Sequence, residues 1–470
     1  RVRSSAASDV YKRQFLYNLH SSILQQKALD IMSLIRKIKD YYKTQKRLLF
    51  TTPSHSLGNF IIPEAQKLLG KKFFRTDFSE IEGLDNLRHP EGAIKDLLAK
   101  ISGIYNSKGS FVLTNGSTSG VLAAMLAILK QGDKVLVARN CHISVCNGLV
   151  LTGARPIWFL PEYDKDWSIY KGVKAADIQK YLEDNEDIKA LILTSPTYEG
   201  LVSDIKSISV ICKKHNVKLI VDEAHGALFN FLNNEFQPAI LEGADISVES
   251  LHKTAGAPNP CAVLHVGQTS HINTSSIQDA LNLIDTTSPS YPLICAAEAC
   301  IDYLNSIQGK KHLHKLLEDI NSFKNSLRSI VDFYADNNDS TRLLMRLKNK
   351  NNAEAAEILN KKYGIEEEYS TNSFMLFITG IGTDKTKLNR LKNALKKVYK
   401  NLGNISDKHK YENYNIPTMA LTPAEAYTKD YEIIDTSKSA GRIAYETIAA
   451  YPPGIPVIIP GEVITLQSLF

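Results

Sequence analysis

Lys253 lies in SVESLHKTAGA (247–257), in a turn of small residues after an apolar run. A lysine amine forms imines only where burial or nearby cations keep it unprotonated. By itself the residue reads more readily as a surface-loop lysine. Asp222 ends the apolar run of VDEAHGA (221–227), with His225 three positions on. An acid at the carboxyl edge of an α/β sheet can hold a protonated ring nitrogen, which turns the ring into an electron sink. The same acid could cap the next turn, or form a metal pair with His225. Asn115-Gly116-Ser117-Thr118-Ser119-Gly120 follows one apolar run and opens another segment. Small residues there let backbone N–H groups approach an anion at a helix N-terminus, although Ser117 or Thr118 would also serve as a plain N-cap. His142 falls between these clusters. Its imidazole could stack on a flat ring or be a satisfied loop histidine. Each reading is weak alone, but their order along the chain makes a phosphate site, a ring-nitrogen acid and an imine lysine a coherent set.

Such a set needs elements that bring strand ends together. Short Val/Ile/Leu runs predict strands at 110–114, 134–138, 155–159, 189–194, 217–222, 244–250 and 261–266. Helical periodicity predicts helices at 91–105, 118–130, 143–152, 174–184, 203–215, 276–284 and 292–335. The alternation implies an α/β fold whose mostly parallel sheet is covered on both faces. Beyond about 340, helix 352–362, strand 373–379 and helix 384–402 read as a smaller C-terminal α+β domain. The Pro-rich AYPPGIPVIIPGE (450–462) reads as an extended tail, and an amphipathic helix is expected over 22–47. The expected division is 1–14 a non-native scar, 15–60 an N-terminal helical segment, 61–335 a large cofactor-binding domain and 336–470 the small domain.

Composition excludes several classes. Hydrophobic residues make up 43% and charged residues 23%, ordinary for a globular protein. No apolar run reaches the roughly 18 residues of a membrane helix. Half of the formal charge of +6 comes from Arg1, Arg3, Lys12 and Arg13 against Asp9. The rest is too small to argue for nucleic acid, and Lys71-Lys72 and Lys310-Lys311 read as solvated faces. Cys141, Cys146, Cys212, Cys261, Cys295 and Cys300 show no zinc spacing. No metal is expected, and the scattered thiols suit a reducing cytoplasm.

Several blocks together resemble the Orn/Lys/Arg decarboxylase family of fold-type-I pyridoxal-phosphate (PLP) enzymes. They are GLDNLRHPEGAIKD (83–96), LTNGSTSG (113–120), ARNCHISV (138–145), LTSPTYEGLVSDI (193–205), VDEAHGA (221–227), SVESLHKTAGA (247–257), TTSPSYPL (286–293) and AYPPGIPVIIPGE (450–462). The chain looks most similar to the short members that lack an N-terminal wing. The resemblance implies an aspartate-aminotransferase-like large domain with PLP as cofactor. It implies that Lys253 forms the internal aldimine, Asp222 pairs with the pyridine nitrogen, His142 stacks on the ring and His225 lies beside it. Ser117, Thr118, Ser119, Ser250 and His252 would hold the phosphate. Thr287 and Ser288 would reach the cofactor of a neighbouring subunit, which implies a homodimer or higher homo-oligomer. The implied reaction is decarboxylation of a basic amino acid in polyamine metabolism: arginine to agmatine first, then lysine to cadaverine or ornithine to putrescine. Glu199, Glu298, Glu446 and Glu462 are candidates for the substrate's distal cation. Departures from the family pattern at Ser56, Ile143, Pro258, Glu298 and Ala450 bear on the substrate more than on the cofactor. They keep two alternatives open: another fold-type-I PLP reaction (aminotransferase or Cα-lyase), and an inactive scaffold.

Overall fold

A computed structural model describes residues 33–44, 49–81, 83–232, 236–335, 338–405, 415–450 and 454–465. The expected scar at 1–14, the helix expected over 22–47 outside 34–44, and residues 451–453 of the Pro-rich tail lie outside the described residues. The chain divides into two compact units, Arg1–Ile101 and Ser102–Phe470.

In the first unit, α1 (Leu34–Thr44) buries Leu34, Ile38 and Tyr41. The Tyr41 ring meets Phe78 edge-on at 5.5 Å. A second helix, α2 (Pro63–Phe74), has Pro at its first turn. Asp85, in the GLDNLRHPEG block, starts α3 (Ala93–Ile104). Its carboxylate accepts backbone N–H groups from Asn86, Glu91, Gly92, Ile94 and Lys95. Burial raises its pKa, but these bonds outweigh burial and bring it below the usual value. His55 accepts the Gly58 N–H at Nδ1, so its Nε2–H faces Asp77 at 3.2 Å.

The second unit is built on a seven-stranded sheet in the order β1-β9-β8-β7-β6-β2-β3. The strands are β1 (Ser107–Leu113), β2 (Lys134–Ala138), β3 (Arg155–Phe159), β6 (Ile188–Thr194), β7 (Lys218–Asp222), β8 (Ile246–Glu249) and β9 (Ala262–Gly267). Between β3 and β6, the short β4 (Tyr163–Asp164) and β5 (Ile169–Tyr170) form a hairpin that the sequence did not signal. β2, β3, β6, β7 and β8 pair in parallel, whereas β9 runs antiparallel to both β1 and β8. Six strands therefore end at one edge, and β9 alone ends at the other.

Alternation along each strand divides the core. Val135, Val137, Ala190, Ile192, Ile220 and Ile246 pack under α4 (Gly116–Ile128), α5 (Ile143–Thr152) and α9 (Thr274–Ile284). Leu136, Ala138, Leu191, Leu193, Leu219 and Val221 pack under α6 (Ala175–Asp184) and α7 (Ile205–Lys214). Burial on both faces explains why these strands read as continuous apolar runs. Gly120 lets α4 approach the sheet: a Cβ there would lie 2.6 Å from both Leu113 and Val248.

The helix expected over 292–335 is interrupted. The structure has α10 (Tyr291–Asn305), α11 (Ile307–Asn325) and then strand β10 (Val331–Phe333), with the one-turn α8 (Leu251–Thr254) earlier in the chain. Ser306 makes the break by accepting the Gly309 N–H as the N-cap of α11. β10 joins β11 (Arg342–Leu347), β12 (Tyr369–Ser370) and β13 (Met375–Ile378) in an antiparallel sheet ordered β10-β11-β13-β12. α12 (Asn352–Tyr363) and α13 (Lys385–Asn401) bury Leu359, Leu391 and Leu395. The tail is not merely extended: after α14 (Pro423–Tyr427), β14 (Ile448–Ala450) and β15 (Ile455–Ile458) pair antiparallel. All six cysteines are free thiols, and five are buried. Among the described residues, no helix is long and apolar enough to cross a membrane.

Candidate active site

The edge where six strands end gathers the chemical residues. Asp222 is the last residue of β7, in register with Thr194 of β6 and Val248 of β8. The ladder continues past the strands: Ser195 donates to the Asp222 carbonyl, Glu223 to that of Val248, and Ser250 to that of Ala224. The turns carrying Asp222, His225 and Lys253 are thus tied together by backbone. Asp222 is 4% exposed and accepts the Ala224 N–H at 3.1 Å.

Lys253 lies on α8, whose single turn aims it back at the β7 edge. Its Nζ is 2.9 Å from His225 Nε2. Burial lowers its pKa; Asp222 and Glu368 pull the value up, and Arg342 pushes it down. His225 is buried, and burial, with the electrostatic influence of Lys253 and Arg342 adding to it, pushes its pKa well below the usual value. His142 caps α5, with Nδ1 accepting the Ser144 N–H at 3.2 Å. Burial lowers its pKa, Asp222 pulls it up and Lys253 pushes it down, which puts all three residues in one electrostatic cluster. His252 gives its Nδ1–H to the Cys261 carbonyl at 2.9 Å. Burial lowers its pKa as well, the Cys261 bond opposing this and the electrostatic influence of Lys253 adding to it.

At the start of α4, Ser117 and Thr118 are half-buried in the first turn, where helix N–H groups lack intrahelical partners. The buried Ser119 donates its hydroxyl to the Gly116 carbonyl at 3.1 Å, leaving its backbone N–H as the group to offer a phosphate. Thr287 and Ser288 are exposed on the loop between α9 and α10, and the Ser288 N–H bonds within that loop to Thr286. The chain thus brings together Asp222, Lys253, His142, His225 and His252, and leaves Thr287 and Ser288 on an exposed loop.

Whether a phosphorylated ring fits can be judged from polar groups that the protein leaves unsatisfied. The buried hydroxyls of Thr114, Thr194, Ser250 and Thr254, and the Asn140 side-chain oxygen, make no hydrogen bond among the described residues. Four stand after or at the ends of β1, β6, β8 and β2, and Thr254 ends α8, beside the predicted residues. Buried polar groups are normally paired, so this concentration of orphans is what a site for a polar ligand leaves behind.

Sequence reasoning missed Arg342, Tyr198 and Glu368. Arg342 opens β11 fully buried and reaches His225, with Nη2 2.8 Å from Nδ1 and 3.2 Å from the carbonyl oxygen. Its only sequence signal is a cation beginning the apolar stretch RLLM (342–345). Gly200 makes room for it: a Cβ there would fall 2.4 Å from Arg342 Cγ. Tyr198 packs its ring edge on His225 at 4.8 Å and hydrogen-bonds Glu368. Of the carboxylates considered for the substrate's distal cation, Glu462 is fully buried against Arg139 at 3.1 Å. Glu199 already accepts the Thr197 and Tyr369 hydroxyls at 3.0 and 2.7 Å.

A family model described as "Orn/Lys/Arg decarboxylase, major domain" matches residues 33–359, and one for the C-terminal domain matches residues 406–469. An arginine decarboxylase from Bacillus anthracis is 29% identical over 436 residues, covering 89% of this chain and 88% of that protein. Lysine decarboxylase A from Pseudomonas aeruginosa superposes with a TM-score of 0.79 at 18% identity, over 97% of this chain and 77% of that one. A serine palmitoyltransferase from S. paucimobilis with bound PLP superposes with a TM-score of 0.52 at 16% identity, over 65% of this chain and 76% of that one.

Proposed function

Because the chain belongs to the Orn/Lys/Arg decarboxylase family, we propose that it removes the α-carboxylate of a basic amino acid, with arginine the first substrate to test and PLP the cofactor. The observation that carries the reading is the half-buried Lys253 amine, 2.9 Å from His225 and within the field of Asp222 at the edge where six strands end. The relative named arginine decarboxylase supports arginine.

Lys253 would hold the cofactor covalently, Asp222 at its ring nitrogen and His142 against its face. Ser117, Thr118, Ser250, His252 and the Ser119 N–H would hold its phosphate. When bound, PLP supplies an electron sink for the pair released as the Cα–carboxylate bond breaks. The protein's own share is electrostatic and positional. Asp222, held by the Ala224 N–H, would face the ring nitrogen and favour its protonated form. His142 is fixed by Ser144 and cannot swing away from the cluster. The turns around Asp222 and His225 are buried, and exclusion of water by a bound substrate there would strengthen each of these interactions. Glu368 is proposed to receive the substrate's distal cation. It is exposed, it acts on both Lys253 and Arg342, and it bonds Tyr198, whose ring packs on His225. A homodimer or higher homo-oligomer is part of the proposal, with the exposed Thr287 and Ser288 serving the partner's site.

The test is a visible spectrum of the chain purified with PLP, beside Lys253→Ala. The expected result is an imine band that borohydride abolishes and that the variant lacks, with CO₂ released from arginine and no keto acid formed. A wild type that binds no PLP would reject the reading.

A further inference from the structure

We propose that Arg342 is a positioning residue that fixes the proton of His225 on Nε2 and thereby holds Lys253 as a neutral amine. The inference rests on the functional reading only in calling Lys253 the working lysine; the hydrogen-bond logic is independent of it.

A guanidinium carries only donors. Arg342 Nη2, 2.8 Å from His225 Nδ1, must therefore donate to it, and Nδ1 carries no proton. A neutral imidazole has one N–H, so that proton is on Nε2. Nε2 then donates across the 2.9 Å gap to Lys253, and Nζ must present a lone pair. An ammonium there would set one donor against another. The three residues form a one-way chain in which each hydrogen bond fixes the polarity of the next.

The surroundings keep Arg342 from turning away. Its Nη2 also bonds the His225 carbonyl, Nη1 reaches Thr341 Oγ1 at 3.4 Å and Asp339 at 3.8 Å, and Gly200 closes over its stem. The charged and titratable groups facing the chain are Asp222 from β7, His142 from the start of α5, His252 from α8, and Glu368 with Tyr198 from the two segments beside His225. Asp222 and Glu368 favour an ammonium, so the uncharged amine needs an opposing influence. Arg342 exerts it twice, through its charge and through the proton it fixes.

The experiment measures how fast Lys253 in the full chain, freed of cofactor, is acetylated by acetic anhydride as a function of pH, with the modified peptide quantified by mass spectrometry. Arg342→Met should move the inflection upward by about one pH unit, a roughly tenfold loss of Lys253 reactivity at neutral pH. With Arg342 gone, His225 can carry its proton on Nδ1 and accept from an ammonium. Arg342→Gln, whose amide can turn its oxygen toward Nδ1–H, should move the curve the same way and serves if the methionine variant does not fold. In a His225→Phe background, the shift caused by the Arg342 change should shrink to the part due to charge alone. An unmoved inflection in both Arg342 variants, or a shift undiminished without His225, would overturn the relay. A purely structural role would slow labelling at every pH without moving the inflection, and would also overturn it. Borohydride trapping with PLP is run in parallel. Failure of the wild type there would reject the cofactor reading while leaving the labelling result to decide the relay.

Discussion

At the scale of single residues, the site combines one carboxylate whose charge is needed and one whose position is exposed. Asp222→Asn keeps a side-chain oxygen for the Ala224 N–H but removes the charge. We expect it to bind PLP and form the imine band, yet to lose about a hundredfold in turnover, ~2.7 kcal/mol of barrier. Steady-state CO₂ release beside the absorbance spectrum checks this; full turnover in the variant would rule out the assigned role. Glu368→Gln removes a charge near solvent, so its effect should be that of an exposed ion pair: a KM for arginine raised roughly fivefold with kcat little changed. An unchanged KM would move the distal-cation role to another carboxylate. Asp222, His225 and Lys253 were legible because each closes a run whose chemistry is visible in a short window. Arg342 was not, because it reaches the same imidazole from a strand far along the chain, in a stretch without turn chemistry or motif.

At the scale of elements, alternating apolar runs and helical periods located the seven-stranded sheet, and β2, α5 and β3 match their expected bounds. These strands are buried on both faces, so their composition is unmistakable. The C-terminal sheet was harder to read. β10 and β12 are three and two residues long, too short for a period-2 pattern to emerge. The break at Ser306 depends on one side-chain cap within an otherwise helical pattern, and that pattern conceals it. Gly120 shows how closely an element can be tied to the site. In Gly120→Ala the new methyl would press on Leu113 and Val248 and push α4 off the sheet. We expect a loss of about 1–3 kcal/mol in urea unfolding, together with weaker PLP binding, since the same helix opens with Ser117 and Thr118. Unchanged stability would mean that the sheet yields at that point.

At the scale of the whole molecule, buried ionisable groups on β8 and β9 shape the pH range of stability. Glu249, 1% exposed and bonded by Tyr105 at 2.9 Å, has its pKa pushed up by burial to about 8. His265, buried and stacked on Tyr105, is pushed down to about 3. The raised acid keeps its proton in the folded chain and loses it on unfolding, so its contribution to stability falls as pH rises from its ordinary value of 4.5 to about 8. The depressed histidine binds a proton only on unfolding, so its contribution falls as pH drops from 6.5 to about 3. The two slopes oppose each other between 4.5 and 6.5. The expected profile is therefore level in that interval and declines on both sides. Denaturant midpoints across pH test it, and Glu249→Gln should flatten the limb above 6.5; a limb that stays equally steep would assign it to other groups.

The pairing of Arg139 with Glu462 has a consequence for the order in which the protein is made. Arg139 lies just beyond the end of β2, next to the edge strand β3, and its guanidinium bonds the Pro456 and Val457 carbonyls and Glu462. Until residues 456–462 have been synthesised and folded back, a nascent chain lacks these contacts to the Arg139 guanidinium. Closing so long a loop is slow. The surroundings of Arg139 are thus completed by a segment more than 300 residues further along the chain, and a product cut short before residue 456 is expected to be less stable because it lacks these contacts to a buried cation.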